Sequence, residues 1–543
     1  MWHPLPLSMA IACITSAMPG LGQAGAPVPT LIPRPARIEP RPAGFELRKS
    51  TKVIAGPGAE TEARRLAESL RAATGFKLPV ESGESGRNAL VFVLDPSLLS
   101  ALGDEGYRMS VGPGRVLIRA AGAAGLFYAG ETFRQLLPVE VFGPSHPDKG
   151  IARRWVAPGI EIEDRPRFRW RGLLLDVARH YQPFEFLKKL VDLAALYKMN
   201  VLQLHLTDDQ GWRMEIKKYP RLTEVGSVRA ESPRPGDRDA GDGTRYGPFF
   251  YTQAQMRDLV AYARTRHVTI LPEIEMPGHF LAALTAYPQY SCRGGPFAVR
   301  TRWGIEPDIL CGGNDQAIAF ALDILEEVVG VFPSEFIHIG GDEAPKDRWK
   351  ECPKCQARIR AEGLKNEEAL QGWFNQRIEA FLARNGRRLI GWDEILEGGL
   401  PARATVMSWR GMTGGLAAAN SGHDVVMSPT SHCYFDYAQA EGPGEPEFIG
   451  GLITLETVYG FDPMPSGLLP ANQSHILGVQ GNIWTEYIRT PADVEYSAFP
   501  RAAALAEVAW TPPAQRDFPD FRRRLSYHLK RLDQLNVHYR KLE

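Results

Sequence analysis

Residues 336–345 read FIHIGGDEAP. A short apolar run stops at two glycines, and two carboxylates, Asp342 and Glu343, follow at once. Gly, Asp and Pro are what turns are made of, so the plainest interpretation is a surface turn. The alternative is the end of a buried strand whose tip carries an acid–base pair and whose glycines leave room for a ligand. Which holds depends on whether such units recur.

They do recur. Downstream of EDRPRFRWRG (163–172) the chain carries short β-rich apolar runs: GLLLDVA (172–178), VLQLHL (201–206), VTILPEI (268–274), FIHIG (336–340), RLIGW (388–392), ATVMSW (404–409), DVVMSPT (424–430) and ILGVQGNIW (476–484). Helical periodicity lies between several of them, as in FEFLKKLVDLAALYK (184–198), TQAQMRDLVAYARTR (252–266) and EALQGWFNQRIEAFLARNG (368–386). Eight strand–helix alternations predict an α/β fold, a (β/α)8 TIM barrel over residues 165–510. A smaller α+β domain is expected before it, over 27–164, with an amphipathic helix ended by Gly75 and a hairpin turning at Gly112 to Gly114. Residues 511–543 are read as a helical extension on the barrel, its charge run a solvated face.

Lys plus Arg and Asp plus Glu both total 63, so no net field favours nucleic acid or an acidic membrane surface. A small molecule or oligosaccharide suits this balance. Residues 1–26 contain no Asp, Glu, Lys or Arg and end in small residues, which predicts an export signal and a periplasmic or secreted protein. No later stretch is apolar for long enough to span a bilayer. Cys352 and Cys355 form a lone CPKC, with no second CxxC. A disulfide or free thiols are therefore expected rather than a structural zinc, and Cys292 could pair with Cys311.

In such a barrel, chemistry sits at the C-terminal ends of the strands. Candidate groups gather there in every unit. The first offers Asp176, Arg179 and His180, with Arg171 just ahead of it. The next two add His205, Asp208, Asp209 and Trp212, then Glu273, Glu275 and His279. Asp342 and Glu343 follow, and then Trp392, Trp409, Tyr434, Asp436, Trp484 and Glu486. A structural ion-pair network explains Arg179 and His180 as well as a site does, and His205 suits a satisfied core histidine. Three tryptophans around one rim are harder to assign to packing alone, because aromatic faces stack on sugar rings.

WRGLLLDVARHY, HLTDDQGWR, PEIEMPGH, HIGGDE, GWDEI, SWRG, YFDY and IWTE, in this order, resemble the motifs of glycoside hydrolase family 20, the β-N-acetylhexosaminidases. The resemblance covers most of the chain. It implies a metal-free, cofactor-free, exo-acting retaining enzyme that removes terminal β-linked N-acetylglucosamine or N-acetylgalactosamine. Glu343 would be the general acid, then the base. The substrate's 2-acetamido oxygen would attack the anomeric carbon. Asp342 would orient the acetamido N–H and Tyr434 would donate to its oxygen. Trp392, Trp409 and Trp484 would wall the pocket. Arg171 and Glu486 would bind the 3- and 4-hydroxyls and Asp436 the 6-hydroxyl side, with Asp208 and His279 tuning Glu343. Side-chain alternation along an extended backbone would point Asp342 and Glu343 in different directions. Two rivals stand beside this expectation: a metal-dependent hydrolase using His205, Asp208, Glu273, His279 and Asp342, and a non-catalytic amino-sugar-binding protein. The polar segment 226–248 would shape the leaving-group side.

Overall fold

The computed structural model describes residue 1 and residues 29–144 and 153–542. Nearly all of the expected export signal lies outside the described residues.

The eight apolar runs are the eight strands of a closed parallel barrel. In chain order these are β1 (Trp170–Asp176), β2 (Val201–His205), β3 (Thr269–Glu273), β4 (Phe336–His338), β5 (Arg388–Trp392), β6 (Thr405–Ser408), β7 (Val425–Met427) and β8 (Ile476–Ile483). β1 closes the ring against β8. Every residue of β1, β2 and β8 is buried. Strands covered on both faces read as unbroken apolar runs rather than alternating ones.

Register places chemistry on one tier. Asp176 pairs with His205, His205 with Glu273, and Glu273 with His338. Four ionisable side chains thus cross four neighbouring strands at the end where the loops begin. Below them Trp170, Leu174, Leu271, Ile390, Met407 and Val426 fill the barrel. Fully burying one such side chain is worth about 1.5–3 kcal/mol.

The outer helices follow their sequence signals. Phe184–Leu196 buries Phe186, Leu187, Leu190, Val191 and Ala194, the one-face spacing of a helix laid on a sheet. Gln253–Arg264 starts with a capping box between Thr252 and Gln255. The stretch after β8 is two helices, Pro491–Ala498 and Arg501–Trp510. Pro500 separates them, because its ring and missing N–H interrupt a helix.

Ahead of the barrel, a seven-stranded sheet carries helices Glu60–Thr74 and Ala123–Leu136. Gly75 ends the first in a left-handed conformation. A buried network joins this unit to the barrel floor: Lys198 pairs with Asp164 at 2.8 Å, and the Trp510 indole N–H donates to the same carboxylate. The C-terminal helix, Phe518–Gln534, corrects the expectation of a wholly solvated charge run. Arg524 and Arg531 are buried. Arg524 pairs with Glu507 at 2.6 Å and donates to the Leu31 carbonyl, while Arg531 donates to the Thr30 and Gln135 carbonyls. This helix ties the barrel to the N-terminal domain.

Candidate active site

A cavity of about 230 Å³ opens at the C-terminal end of the barrel. Asp342, Glu343, Trp392, Trp409, Tyr434, Asp436, Trp484, Glu486, Asp208 and His279 all line it. One predicted residue does not. Arg171 starts β1, at the opposite end of the barrel, where it pairs with Glu105 of the N-terminal domain at 2.6 Å and donates to the Lys198 and Phe168 carbonyls. The cavity's arginine is Arg179, eight residues on and just beyond the C-terminal end of the same strand. It reaches Asp208 at 2.8 Å, Asp176 at 3.3 Å and Glu486 at 3.8 Å, and lies over the Trp484 ring. The barrel rule itself distinguishes the two arginines, since only the later one follows its strand.

β4 delivers the acid pair, but not by strand alternation. The strand stops at His338, and Gly340, Gly341 and Glu343 all adopt positive φ. A left-handed Glu is costly, and such conformations cluster at functional sites. The glycines serve the protein rather than a ligand: a Cβ on Gly340 would stand 1.8 Å from the Glu275 carboxylate, and one on Gly341 would stand 2.9 Å from Ile395. Asp342 and Glu343 do not diverge widely either, because both reach one imidazole. His279 Nε2 lies 3.7 Å from Asp342 and 3.4 Å from Glu343. Their surroundings differ: the Asp342 side chain is 15% exposed and Glu343 35%. Burial first, then the Glu343 charge, pushes the Asp342 carboxyl up.

His279 is in turn held from behind by Asp208 and Asp209, at 3.3 and 3.4 Å from Nδ1. Burial opposes its charge, yet Asp208 and the other carboxylates outweigh it and hold the imidazole well above its usual range. His205 is not a bland core histidine. Its Nε2 is 2.7 Å from Asp208 and its Nδ1 2.9 Å from Glu273, and against the opposing effect of burial these acids raise it to about 10.

The aromatic wall is built from four strand ends, carrying Trp392, Trp409, Tyr434 and Trp484. The Trp392 indole N–H donates to Glu273, and the Trp409 indole to Glu394. Trp392 and Trp484 ring centres lie 5.8 Å apart, and Trp409 and Tyr434 stack at 6.2 Å. Burial, then Asp436, keeps the Tyr434 hydroxyl protonated far above neutrality. Its loop is fixed by a bridge from Tyr434 to Asn482 and by buried Arg501, which donates to the Phe435 and Tyr437 carbonyls. Among the described residues, Asp342 Oδ1, Asp436 Oδ1 and Glu486 Oε2 are buried without a hydrogen-bond partner. Such groups are costly unless a polar ligand meets them.

Several contributors were not singled out from sequence. Glu394 is raised to about 8 by burial and by Asp342. Glu275, which the sequence did offer as a candidate, sits buried beneath the acid pair, pushed up by burial, Asp342 and Glu273. Asp393 accepts from the backbone N–H groups of Trp409 and Arg410, so the GWDEI motif positions the SWRG motif. The Arg501 role carries no local sequence signal. Segment 226–248 contains a small hairpin, Pro233–Arg234 with Asp237–Gly241, and none of its residues lines the cavity. The CPKC cysteines are not isolated, for Cys292 and Cys311 lie beside them.

Residues 168–513 match the glycosyl hydrolase family 20 catalytic domain, and residues 28–165 match domain 2 of the same family. The chain belongs to glycosyl hydrolase family 20. It is 46% identical over 512 residues to a β-hexosaminidase of Porphyromonas gingivalis, covering 94% of this chain and 64% of that protein's length. A β-hexosaminidase of Akkermansia muciniphila is 35% identical, over 80% of this chain and 85% of that one. The crystal structure of a family 20 exo-β-N-acetylglucosaminidase from Vibrio harveyi, in complex with N-acetylglucosamine, superposes with a TM-score of 0.83 at 32% identity. It covers 97% of this chain and 81% of that one. The family 20 chain is thus a glycoside hydrolase with both of the family's domains in place.

Proposed function

We propose that this glycoside hydrolase is an exo-acting, retaining β-N-acetylhexosaminidase working by substrate-assisted catalysis. The observation that carries this is the sharing of His279 by Asp342 and Glu343 at the foot of the Trp392, Trp409, Trp484 and Tyr434 cage. The P. gingivalis and A. muciniphila relatives support it, as does the sugar bound by the V. harveyi protein.

Glu343, at the mouth, protonates the glycosidic oxygen as the bond to the anomeric carbon breaks. The acetamido carbonyl oxygen closes on that carbon from the opposite face, giving a cyclic oxazolinium. Asp342 accepts the acetamido N–H and balances the new positive charge, and the Tyr434 hydroxyl donates to the attacking oxygen to aim it. Glu343, now a carboxylate, takes a proton from the water that reopens the ring, so the β configuration returns. A positioned proton donor contributes roughly 10²- to 10⁴-fold. Arg179, Asp436 and Glu486 hold the non-reducing hydroxyls and close that end, which restricts cleavage to terminal residues.

The test compares p-nitrophenyl β-N-acetylglucosaminide, the matching galactosaminide and the plain β-glucoside. Rapid release from the N-acetyl sugars and none from the glucoside is expected. Equal rates on all three would remove the acetamido group from the mechanism. We also propose export to the periplasm or medium, for which the charge-free first 26 residues speak. Finding the full-length chain in the cytosolic fraction would overturn that.

A further inference from the structure

Outside the sugar pocket the described residues gather four thiols. The sulfurs of Cys292, Cys311, Cys352 and Cys355 all lie within 4.8 Å of one another. Cys292 is 3.8 Å from Cys355, and Cys311 is 3.8 Å from Cys352 and 3.6 Å from Cys355. Four sulfurs at about 2.3 Å from a tetrahedral zinc stand about 3.8 Å apart. A disulfide would bring one partner to about 2.05 Å and leave the others remote. Cys311 instead approaches two sulfurs almost equally, as ligands of a common centre do.

The backbone is shaped for this approach. A bridge between Ser291 and Leu310 sets Cys292 and Cys311 side by side, and the Cys311 N–H donates to the Tyr290 carbonyl. A Cβ on Gly313 would fall 2.2 Å from the Lys354 carbonyl carbon and 2.3 Å from the Cys355 nitrogen. Only glycine there lets the Cys311 loop lie against the CPKC turn. The Gly313 N–H also bonds the Cys311 sulfur. Cys352 is the N-cap of helix Pro353–Ala361 and Cys355 lies in its first turn. Cys311, Cys352 and Cys355 are buried and Cys292 is half-buried.

We propose that Cys292, Cys311, Cys352 and Cys355 bind one structural zinc ion. Binding displaces the thiol protons and fills all four positions, so the site has no open coordination place for catalysis. Neither single cysteine is near CPKC in sequence, which is why the set reads as incomplete there. The metal joins the loop after β3, which carries His279, to the segment after β4, which carries Asp342 and Glu343. These loops already touch at their pocket ends, where a Cβ on Gly278 would stand 3.0 Å from Ala344. The zinc fastens their far ends. Metal-bound thiolates also withstand pairing into disulfides in an exported protein.

The test is the metal content of the wild-type chain, purified under reductant from zinc-supplied cells and dialysed. About one zinc per chain by elemental analysis is expected, with four sulfurs at about 2.3 Å by X-ray absorption, released by p-mercuribenzoate. Cys311→Ser and Cys355→Ser should lose the zinc, and Cys433→Ser, at a buried thiol elsewhere, should retain it. Wild-type protein carrying no metal, or iron, or Cys292–Cys355 and Cys311–Cys352 disulfides by mass spectrometry, would overturn the proposal. That readout is independent of sugar hydrolysis.

Discussion

Asp342 and Glu343 are sequence neighbours in unlike surroundings, one mostly buried and one at the cavity mouth, with His279 serving both. Glu343→Gln is expected to lower kcat by roughly 10²-fold or more on substrates with poor leaving groups. The loss should shrink with an activated leaving group, a split read from the two kcat values. Asp342→Asn should lower kcat more than it raises KM, because its partner is the charge that develops in the transition state. The neighbouring His205 predicts a pH dependence of stability. Its folded pKa, raised to about 10 by Glu273 and Asp208, means its stabilisation is complete below the ordinary value near 6.5 and is lost as pH rises through about 10. Urea unfolding from pH 6 to 10.5 should show a steeper loss for wild type than for His205→Gln. Equal slopes would mean that His205 is not a charged partner of these acids.

At the scale of elements, the barrel was legible because its strands are covered on both faces and so print as apolar runs. Polar residues at the run ends were legible because the functional face of a barrel is fixed by chain direction. What failed was the detail that loops decide. Strand alternation did not govern Asp342 and Glu343, since β4 ends four residues before the first of them and glycines reshape the turn. Arg171 was misplaced because motif position was followed over strand direction. This distinction is testable. Arg179→Met should lower kcat/KM by about 10- to 100-fold, the worth of a charged hydrogen bond. Arg171→Met should instead lower the thermal midpoint and leave kcat/KM unchanged, because its partners are Glu105 and floor carbonyls.

Across the whole molecule, the two domains are joined by ionic groups that composition could not reveal. Arg524 looked like one member of a basic surface run, and its burial depends on Glu507 and the Leu31 carbonyl, which lie far away in sequence. Arg524→Met leaves Glu507 buried without its cation and should cost about 3–5 kcal/mol in urea unfolding. The four-cysteine cluster was equally hidden, since its ligands come from two separate loops. The proposed mechanism makes one chemical requirement, that the substrate's own acetamide performs the attack. The most direct test varies that group alone, in p-nitrophenyl β-glucosaminides bearing N-acetyl, N-fluoroacetyl, N-difluoroacetyl and N-trifluoroacetyl groups. Each fluorine withdraws electrons from the carbonyl oxygen, so kcat/KM should fall steeply along the series. A flat series would mean that a protein carboxylate or water attacks the anomeric carbon, and would contradict the account.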